Sequence, residues 1–451
     1  MKAHRIILYL CLLTLSTNLL GQASVYGEIN TTANTNSIIR AWGNQFIIYA
    51  EGVGGRGYFH LLTGIANGST VLTADVPVDM HIKDFKVLND WVYFVGEKVD
   101  PDGVKNATKA VAGAFPIHNL FYSGGNIIYN KLHPYSESSG RIFKPISLSR
   151  TEVYSFDGIV HIIAVGNQTE NDILTSAVFD IPYPFNSYSY KAVSSGSGYG
   201  EGIFLDLALT DNYVVTVAHK GSSYDLFGIG FIMMRPFERN GDPLSSTTGT
   251  NRFDTDGYIE PNGIMAATGL AGDKFSISYC EPGTTATAQE TGILQVNTGG
   301  TISPVLFKRT GNNLSNSNYY IFKDMVYNIP SGLLCDLGNG NTSGNYLVGV
   351  YSTAGTSNSR FYHPDIDINS ICTLSTDHCA ACGKTQTSTL GIILQKLPIS
   401  STCAAVRGET MSQTYPSVRN ATGINVKDGA TETRVHFPTI TTNYFIVNCS
   451  K

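Results

Sequence analysis

Short apolar segments separated by polar turns recur along the chain between Ser37 and Leu397. In each of seven units, an apolar strand is followed after a short polar loop by a second one, as in Val92-Tyr-Phe-Val and Ala110-Val-Ala-Gly-Ala-Phe. The first strands recur about every 54 residues, an interval that suits one four-stranded blade of a β-propeller. No long segment has the 3.6-residue periodicity of an amphipathic helix. The pattern therefore predicts an all-β chain folded as a seven-bladed β-propeller.

Four strands can be assigned within a unit, and the second unit has the clearest set. Its predicted strands, labelled A to D in chain order, are Ile82–Leu88, Trp91–Val95, Lys109–Ile117 and Ile127–Leu132. The fourth unit aligns with it without a gap over its first half, with Asp206 at the position of Asp84. Six or eight blades, or two β-sandwiches in tandem, are the alternatives. The regular interval and the gapless match favour the seven-bladed propeller.

A ring of blades has to close, because closure removes exposed sheet edges that would promote aggregation. Residues 24–29 could complete the last blade from the N-terminal side, and residues 443–449 could do so from the C-terminal side. Residues 400–435 are rich in Ser, Thr, Gly and Asn and are predicted to form an irregular tail. The sequence thus predicts a single propeller domain over residues 24–451.

The second unit carries a motif that resembles a known group of proteins. It reads Lys83-Asp84-Phe85, then Leu88-Asn89-Asp90-Trp91-Val92-Tyr93-Phe94-Val95-Gly96, followed by a Gly-Ala-Phe strand. This is similar to the blade motif of uncharacterised secreted β-propeller proteins of Bacteroidetes bacteria. The resemblance spans most of residues 36–397 and is clear in units two to four. It implies a propeller fold and an exported location, and it implies no catalytic residues.

The N-terminus has the features of a secretory signal peptide. Basic residues precede an apolar run over residues 6–20, and Gly21 and Ala23 are small residues at the −3 and −1 positions of a cleavage site. We predict a signal peptide over residues 1–23, a mature chain from Ser24, and a secreted, periplasmic or cell-surface location. The run is short for a membrane span, and no later stretch approaches 20 apolar residues, so no membrane span is predicted.

The charge of the chain argues against one class of partner. The net charge is −5 and charged residues make up 14% of the sequence, against roughly 25% in an average soluble domain. Nucleic-acid binding needs clustered Lys and Arg, and the sequence has no basic run. Nucleic acid is therefore not a predicted partner.

The cysteines concentrate near the end of the repeats. Export favours disulfides, although the seven cysteines after the signal peptide leave at least one unpaired. The disulfide candidates are Cys372, Cys379, Cys382, Cys403 and Cys449. Cys379-x-x-Cys382 could also contribute to a zinc site, but the paired CxxC spacing is missing. Disulfides bracing the B–C loop of the last unit are the preferred interpretation, and no metal is predicted.

Acidic residues recur at one position per unit, and the candidates are Asp84, Glu152, Asp206 and Asp324. They could line the central channel as a functional acidic ring, or each could accept backbone hydrogen bonds within the fold. Because the position repeats with the fold, the structural role is favoured. The sialidase Asp box, Gly-x-Ser-x-Gly, His-Glu-x-x-His and the P-loop are missing from the sequence. No catalytic residue and no cofactor is predicted.

Tyrosines accompany Ser and Gly in residues 118–143 and 183–202, which are assigned to the face carrying the B–C and D–A connections. Tyrosine offers a large contact area at low entropic cost. The candidate ligand-binding residues are Tyr122, Tyr129, Tyr135, Tyr188, Tyr190 and Tyr199. The sequence therefore predicts an exported, non-enzymatic protein that binds a glycan or protein partner through this face. A glycan-active hydrolase or lyase with carboxylates at the central channel is the alternative, and a purely structural surface component is a third possibility.

Overall fold

The structure is a computed structural model that describes most of the chain after residue 23. The described residues are 24–32, 36–52, 54–63, 71–99, 108–136, 140–170, 173–185, 190–194, 203–220, 231–239, 251–253, 266–282, 287–314, 322–339, 346–353, 357–361, 366–397, 422–428 and 431–437. Their strands form antiparallel blades in which strand A lies innermost and strand D outermost.

The first three blades follow strand β1 (Ser24–Thr32). Blade I consists of β2 (Ser37–Trp42), β3 (Gln45–Glu51), β4 (Gly57–Leu62) and β5 (Val71–Asp75). Blade II consists of β6 (Met80–Leu88), β7 (Trp91–Val99), β8 (Thr108–Pro116) and β9 (Ile128–Lys131), with helix α1 (Ile117–Ser123) before β9. Blade III consists of β10 (Tyr135–Ser136), β11 (Ile142–Phe156), β12 (Ile159–Glu170), β13 (Ile173–Tyr183) and β14 (Lys191–Ser194).

The remaining blades complete the ring. Blade IV consists of β15 (Ile203–Leu209), β16 (Tyr213–Lys220), β17 (Phe231–Glu238) and β18 (Asn251–Phe253). Blade V consists of β19 (Ala266–Gly269), β20 (Lys274–Pro282), β21 (Thr287–Val296) and β22 (Ile302–Leu314). Blade VI consists of β23 (Phe322–Asn328), β24 (Leu333–Asn339), β25 (Tyr346–Ser352) and β26 (Ser357–Phe361). Blade VII contains β27 (Ile366–Thr373), β28 (His378–Thr385) and β29 (Thr389–Lys396), and a last hairpin contains β30 (Thr422–Asp428) and β31 (Thr431–Phe437).

The apolar core is divided among the seams between neighbouring blades. One buried cluster lies in each of the seven seams of the described ring. In the seam between blades I and II, the ring centroid of Phe59 lies 5.5 Å from that of Phe85 and 4.9 Å from that of Phe115. Because each blade is covered on both faces, its middle strands read as continuous apolar runs. The predicted seven-bladed propeller is confirmed, and the alternatives with six blades, eight blades or tandem sandwiches are excluded.

Blade II shows why the Gly-Ala-Phe motif within β8 contains a glycine. The ring of Phe94 packs over the backbone of Gly113, and a Cβ atom on that glycine would lie 2.0 Å from Cζ of Phe94. Any side chain at this position would displace the aromatic ring from the seam. The predicted strands of this unit are confirmed by β6 to β9, with boundaries that differ by at most four residues.

The N-terminal strand closes the ring. β1 pairs antiparallel with β29, with Ser24 opposite Gln395 and Ile29 opposite Leu390, and so supplies strand D of blade VII. The first of the two predicted closing segments therefore occupies this place, while residues 443–449 lie outside the described residues. β30 pairs in parallel with β5, and β31 pairs antiparallel with β1, which joins blades I and VII into one ten-stranded sheet. The predicted irregular tail at residues 400–435 is wrong where β30 and β31 form.

Candidate functional site

The connections between strands alternate between the two sides of the disc. We call the side with the B–C and D–A connections, such as residues 386–388 and 76–79, the loop face. We call the side with the A–B and C–D connections, such as residues 89–90 and α1, the turn face. The predicted binding residues can be placed on these two faces.

The tyrosines do not gather on the loop face. Tyr122 lies in α1, which links strands C and D of blade II, so it belongs to the turn face. Its side chain is mostly exposed, and its ring lies 4.9 Å from that of His118. Tyr129 lies in strand β9, half-buried, with Nζ of Lys98 6.0 Å from its ring centroid. The predicted location on the loop face is wrong for Tyr122. Residues 118–143 were assigned as a whole to a D–A connection, but they include the C–D connection of blade II, which lies on the turn face.

Tyr135 and Tyr190 are packed into blade III. Their ring centroids lie 6.0 Å apart, and Tyr135 also stacks on Phe143 at 5.2 Å. The hydroxyl of Tyr135 donates to Oε1 of Gln168 at 2.7 Å, and that of Tyr190 donates to the carbonyl oxygen of His133. Burial raises the pKa of Tyr190 above its usual range. The side chains of Tyr135 and Tyr190 therefore stabilise the packing of blade III. Tyr188 and Tyr199 lie outside the described residues.

The cysteines of the last blade are free thiols in strands. Cys372, Cys379 and Cys382 are buried in β27 and β28, because the segment predicted as a B–C loop is strand B. Cys379 lies in the seam toward blade VI and Cys382 in the seam toward blade I, so the two thiols point to opposite faces of one strand. Burial raises the pKa of the Cys382 thiol to about 12. The predicted loop-bracing disulfide is wrong for these three residues, and Cys403 and Cys449 lie outside the described residues.

Three aspartates on the inner strands link neighbouring blades. Asp84, Asp206 and Asp324 each follow a one-residue irregularity in strand A. In each case Oδ1 accepts the backbone N–H of the next residue, at 2.9, 2.9 and 3.1 Å respectively. The other oxygen, Oδ2, accepts an N–H from strand A of the following blade. The predicted structural role is confirmed for these three acids.

The links across the seams have similar lengths. Oδ2 of Asp84 lies 3.0 Å from N of Thr151, and Oδ2 of Asp206 lies 2.9 Å from N of Ala267. Oδ2 of Asp324 lies 3.2 Å from N of Ile371. The seams between blades II and III, IV and V, and VI and VII are therefore joined in the same way.

Glu152 does not belong to this series. The second of two irregularities in β11 falls between Leu148 and Arg150, so Arg150 occupies the position of Asp84 in blade III. Glu152 lies two residues further on and accepts a hydrogen bond from Nζ of Lys86 at 2.7 Å. The predicted equivalence of Glu152 is wrong because strand A of blade III runs two residues further between the irregularity and the A–B turn than strand A of blade II does.

Arg40 is the central cation that sequence reasoning missed. Its Nη2 lies 2.6 Å from Oδ1 of Asp84, and its Nη1 lies 3.3 Å from Oδ2 of Asp324. Its Nε donates to the carbonyl oxygen of Phe85 at 3.0 Å, and its Nη1 to Oγ of Ser370 at 2.9 Å. One buried side chain in blade I thus contacts blades II, VI and VII. Its signal in the sequence is a single arginine within the otherwise apolar strand Ile38-Ile-Arg-Ala-Trp.

The channel carboxylates differ in electrostatic environment. Burial raises the pKa of Asp206 to about 6, although Arg150 and two backbone N–H groups oppose the shift. The pKa of Asp324 is lowered despite its burial, since Arg40, Arg150 and Lys86 stabilise the carboxylate. Both oxygens of each aspartate accept hydrogen bonds from the protein. The arrangement therefore stabilises the ring and leaves no pair of carboxylates arranged for glycoside hydrolysis among these three residues.

Blade III contains the longest strand in the described part of the chain, and its strands reach the loop face. Its strands β11, β12 and β13 contain 15, 12 and 11 residues. The loop-face ends of β11 and β13 carry Ile142, Ile173 and Leu174, which are all more than half exposed. Large aliphatic side chains exposed together are a feature of interaction surfaces.

Comparison with known proteins assigns no family to the chain. No protein-family model matches the chain, and no curated protein matches it. Within the described ranges, no three His, Cys, Asp or Glu side chains are grouped so that they could hold a metal ion. The helix in the described part of the chain has seven residues, which is too short for a membrane crossing.

The first testable prediction concerns Arg40. Replacing it in Arg40→Met removes the cation that contacts Asp84 and Asp324 directly, so we expect the free energy of unfolding to fall by about 3–5 kcal/mol. The control Arg56→Met removes an exposed ion pair with Asp75 and should change it by about 1 kcal/mol or less. Urea denaturation at neutral pH measures both values. Equal effects of the two substitutions would contradict the central role of Arg40.

The second prediction concerns Asp206. Its folded-state pKa of about 6 exceeds the roughly 3.9 of an unfolded chain, so its stabilising contribution is complete below about pH 4 and lost as the pH rises through 6. Relative to Asp206→Asn, the wild-type protein should lose up to about 3 kcal/mol of unfolding free energy between pH 4 and 7. Urea denaturation at several pH values measures this difference. The exposed Asp157→Asn variant controls for loss of one charge, and a difference that stays constant with pH would refute the assignment.

Proposed function

We propose that the protein is an exported, non-enzymatic binding protein that holds a protein partner at the loop-face end of blade III. The propeller fold is compatible with a binding role. The observation that carries the proposal is the exposure of Ile173 and Leu174, at 67% and 64%, at the extended end of this blade. Burying such side chains against a partner removes apolar surface from water, which is the main favourable contribution to association.

The end of blade III is held in place by its own packing. Phe143 follows the exposed Ile142 and stacks on Tyr135, whose hydroxyl bonds to Gln168 of the neighbouring strand. Tyr135 was predicted to contact the ligand, but it instead packs beneath the exposed residues and holds Phe143 in place. A firmly held surface loses little conformational entropy on binding, which favours affinity. Exposed aliphatic side chains also suit a protein partner better than a glycan, because they offer no aromatic face for stacking on a sugar ring.

The enzymatic alternative receives less support. A glycosidase needs a pair of carboxyl groups that reach the substrate. The sequence predicts three aspartates at the central channel, which are Asp84, Asp206 and Asp324. Both carboxylate oxygens of each one accept hydrogen bonds from backbone N–H groups or from Arg40. A substrate would have to displace hydrogen bonds on which the blade contacts depend.

Export forms part of the proposal and rests on the signal-peptide pattern. Strand β1 begins at Ser24, directly after the predicted cleavage site, so cleavage would leave the closing strand intact. We expect N-terminal sequencing of the native protein to begin at Ser24, and cell fractionation to recover it outside the cytoplasm. An uncleaved chain in the cytoplasm would refute this part of the proposal.

Crosslinking tests the binding surface. A photo-crosslinking amino acid at Leu174 should capture one defined protein, identified by mass spectrometry, whereas the same group at Ile329 on the turn face should not. Ile329 is a suitable control because it is also strongly exposed.

The captured partner is then tested with purified components. We expect Ile173→Ser combined with Leu174→Ser to weaken its binding at least about tenfold, while Ile329→Ser leaves it unchanged. Equal binding by all variants would overturn the proposed surface. Release of products from a panel of glycans would overturn the non-enzymatic assignment.

A further inference from the structure

A cleft opens on the turn face where blades III and IV meet. It encloses about 240 Å³. Its lining residues are Phe156, Asp211, Asn212, Tyr213, Glu238 and Arg239. Sites for drug-sized ligands enclose about 300–1,000 Å³, so this cleft suits a single small ring. It lies on the opposite face from the surface proposed above.

Arg239 is fixed at the edge of this cleft. Its guanidinium carbon lies 4.3 Å from the ring centroid of Tyr154, a distance typical of a cation–π contact. Its Nη1 donates to the carbonyl oxygens of Thr210 at 2.5 Å and Asp211 at 3.2 Å. Arginine has five N–H donors, and these contacts among described residues use Nη1 alone. The side chain is therefore held in one orientation with donors on Nε and Nη2 remaining for a ligand.

The turn of blade IV that forms the other side of the cleft is also held in place. The backbone N–H and Nδ2 of Asn212 donate to the two carboxylate oxygens of Asp273, at 2.9 and 3.0 Å. The adjoining Asp211 is bonded through its backbone N–H to the carbonyl oxygen of Gly272 at 3.1 Å. Within the described residues, the carboxylates of Asp211 and Glu238 have no hydrogen-bonded partner. The cleft thus combines the carboxylate acceptors of Asp211 and Glu238 with the donors of Arg239.

The mixed charges of the cleft narrow the class of ligand. A compact anion would meet the carboxylates of Asp211 and Glu238, and a cation would meet the guanidinium of Arg239. A neutral ring with several hydroxyl groups avoids both conflicts, since each hydroxyl donates to a carboxylate or accepts from a guanidinium. The rings of Phe156 and Tyr213 add apolar surface for the C–H face of such a ligand. We propose that this cleft is a binding site for one ring of a neutral saccharide.

Direct binding measurements test this site on the mature chain from Ser24. The probes are glucose, galactose, mannose and N-acetylglucosamine, measured by saturation-transfer difference NMR and titration calorimetry. We expect at least one of them to bind saturably. Asp211→Asn and Glu238→Gln should each weaken that binding about tenfold, because each removes a charged acceptor while keeping the shape of the side chain. Asp157→Asn, in the neighbouring turn of blade III and outside the lining, should bind as the wild type does.

Thermal unfolding of each variant establishes that it is folded before its binding is compared. Failure of all four sugars to bind, or equal binding by the lining variants and Asp157→Asn, would overturn the site. Binding of lysine or arginine amides in place of sugars would replace the saccharide with a cationic ligand and also overturn it. The Ile173→Ser, Leu174→Ser double variant should retain sugar binding, so the outcome here is independent of the partner surface on blade III.

Discussion

The buried guanidinium of Arg40 is the contact on which the centre of the ring depends. Charged groups leave water at a large free-energy cost unless they are paired and hydrogen-bonded. Arg40, Asp84 and Asp324 satisfy this condition only together, with one side chain from blade I between carboxylates from blades II and VI. A change in the relative positions of these blades would leave at least one of the charges unpaired. The ion pairs therefore select one arrangement of blades that the apolar seams alone would specify less sharply.

The seams are not all joined alike, and the seam beside the cleft is one of those without an aspartate-to-backbone link among the described residues. Aspartate-to-backbone links join three of the seams, whereas a contact between blades III and IV runs from N of Phe204 in strand A to Oγ of Ser176 in strand C at 3.2 Å. Toward the turn face, Arg239 of blade IV packs on Tyr154 of blade III. The saccharide cleft thus lies beside a contact that also fixes the spacing of its two walls. Binding and blade packing share residues there, which couples the shape of the cleft to the stability of that seam.

The sequence predicted the fold well because apolar strands and tight turns recur once per blade. The positions of individual side chains depend on strand register and on contacts between distant residues, which the sequence pattern shows only weakly. Strand A of blade III has two more residues before its A–B turn than strand A of blade II, so Arg150 rather than Glu152 takes the repeated position. Residue type and distance from the turn had favoured the acid. In blade VII, strand A was taken for strand B, which placed Cys379 and Cys382 in a loop. The contact between Arg40 and Asp324 joins residues far apart in sequence, so no local sequence pattern predicts it. The cleft between blades III and IV likewise combines turn residues of two blades, and its composition is ordinary in either blade alone.

Closure by β1 has a consequence for the order in which the molecule can assemble. The strand that emerges first pairs with β29, which belongs to the last blade. Contacts between such distant segments form late, because nearly the whole chain has to be ordered between them. During synthesis from the N-terminus, blades I to VI could stack in succession before β29 is available to pair with β1. The edge of β29 would stay open until that moment, so the interval before the two ends meet is when the chain most needs protection from association with its own copies.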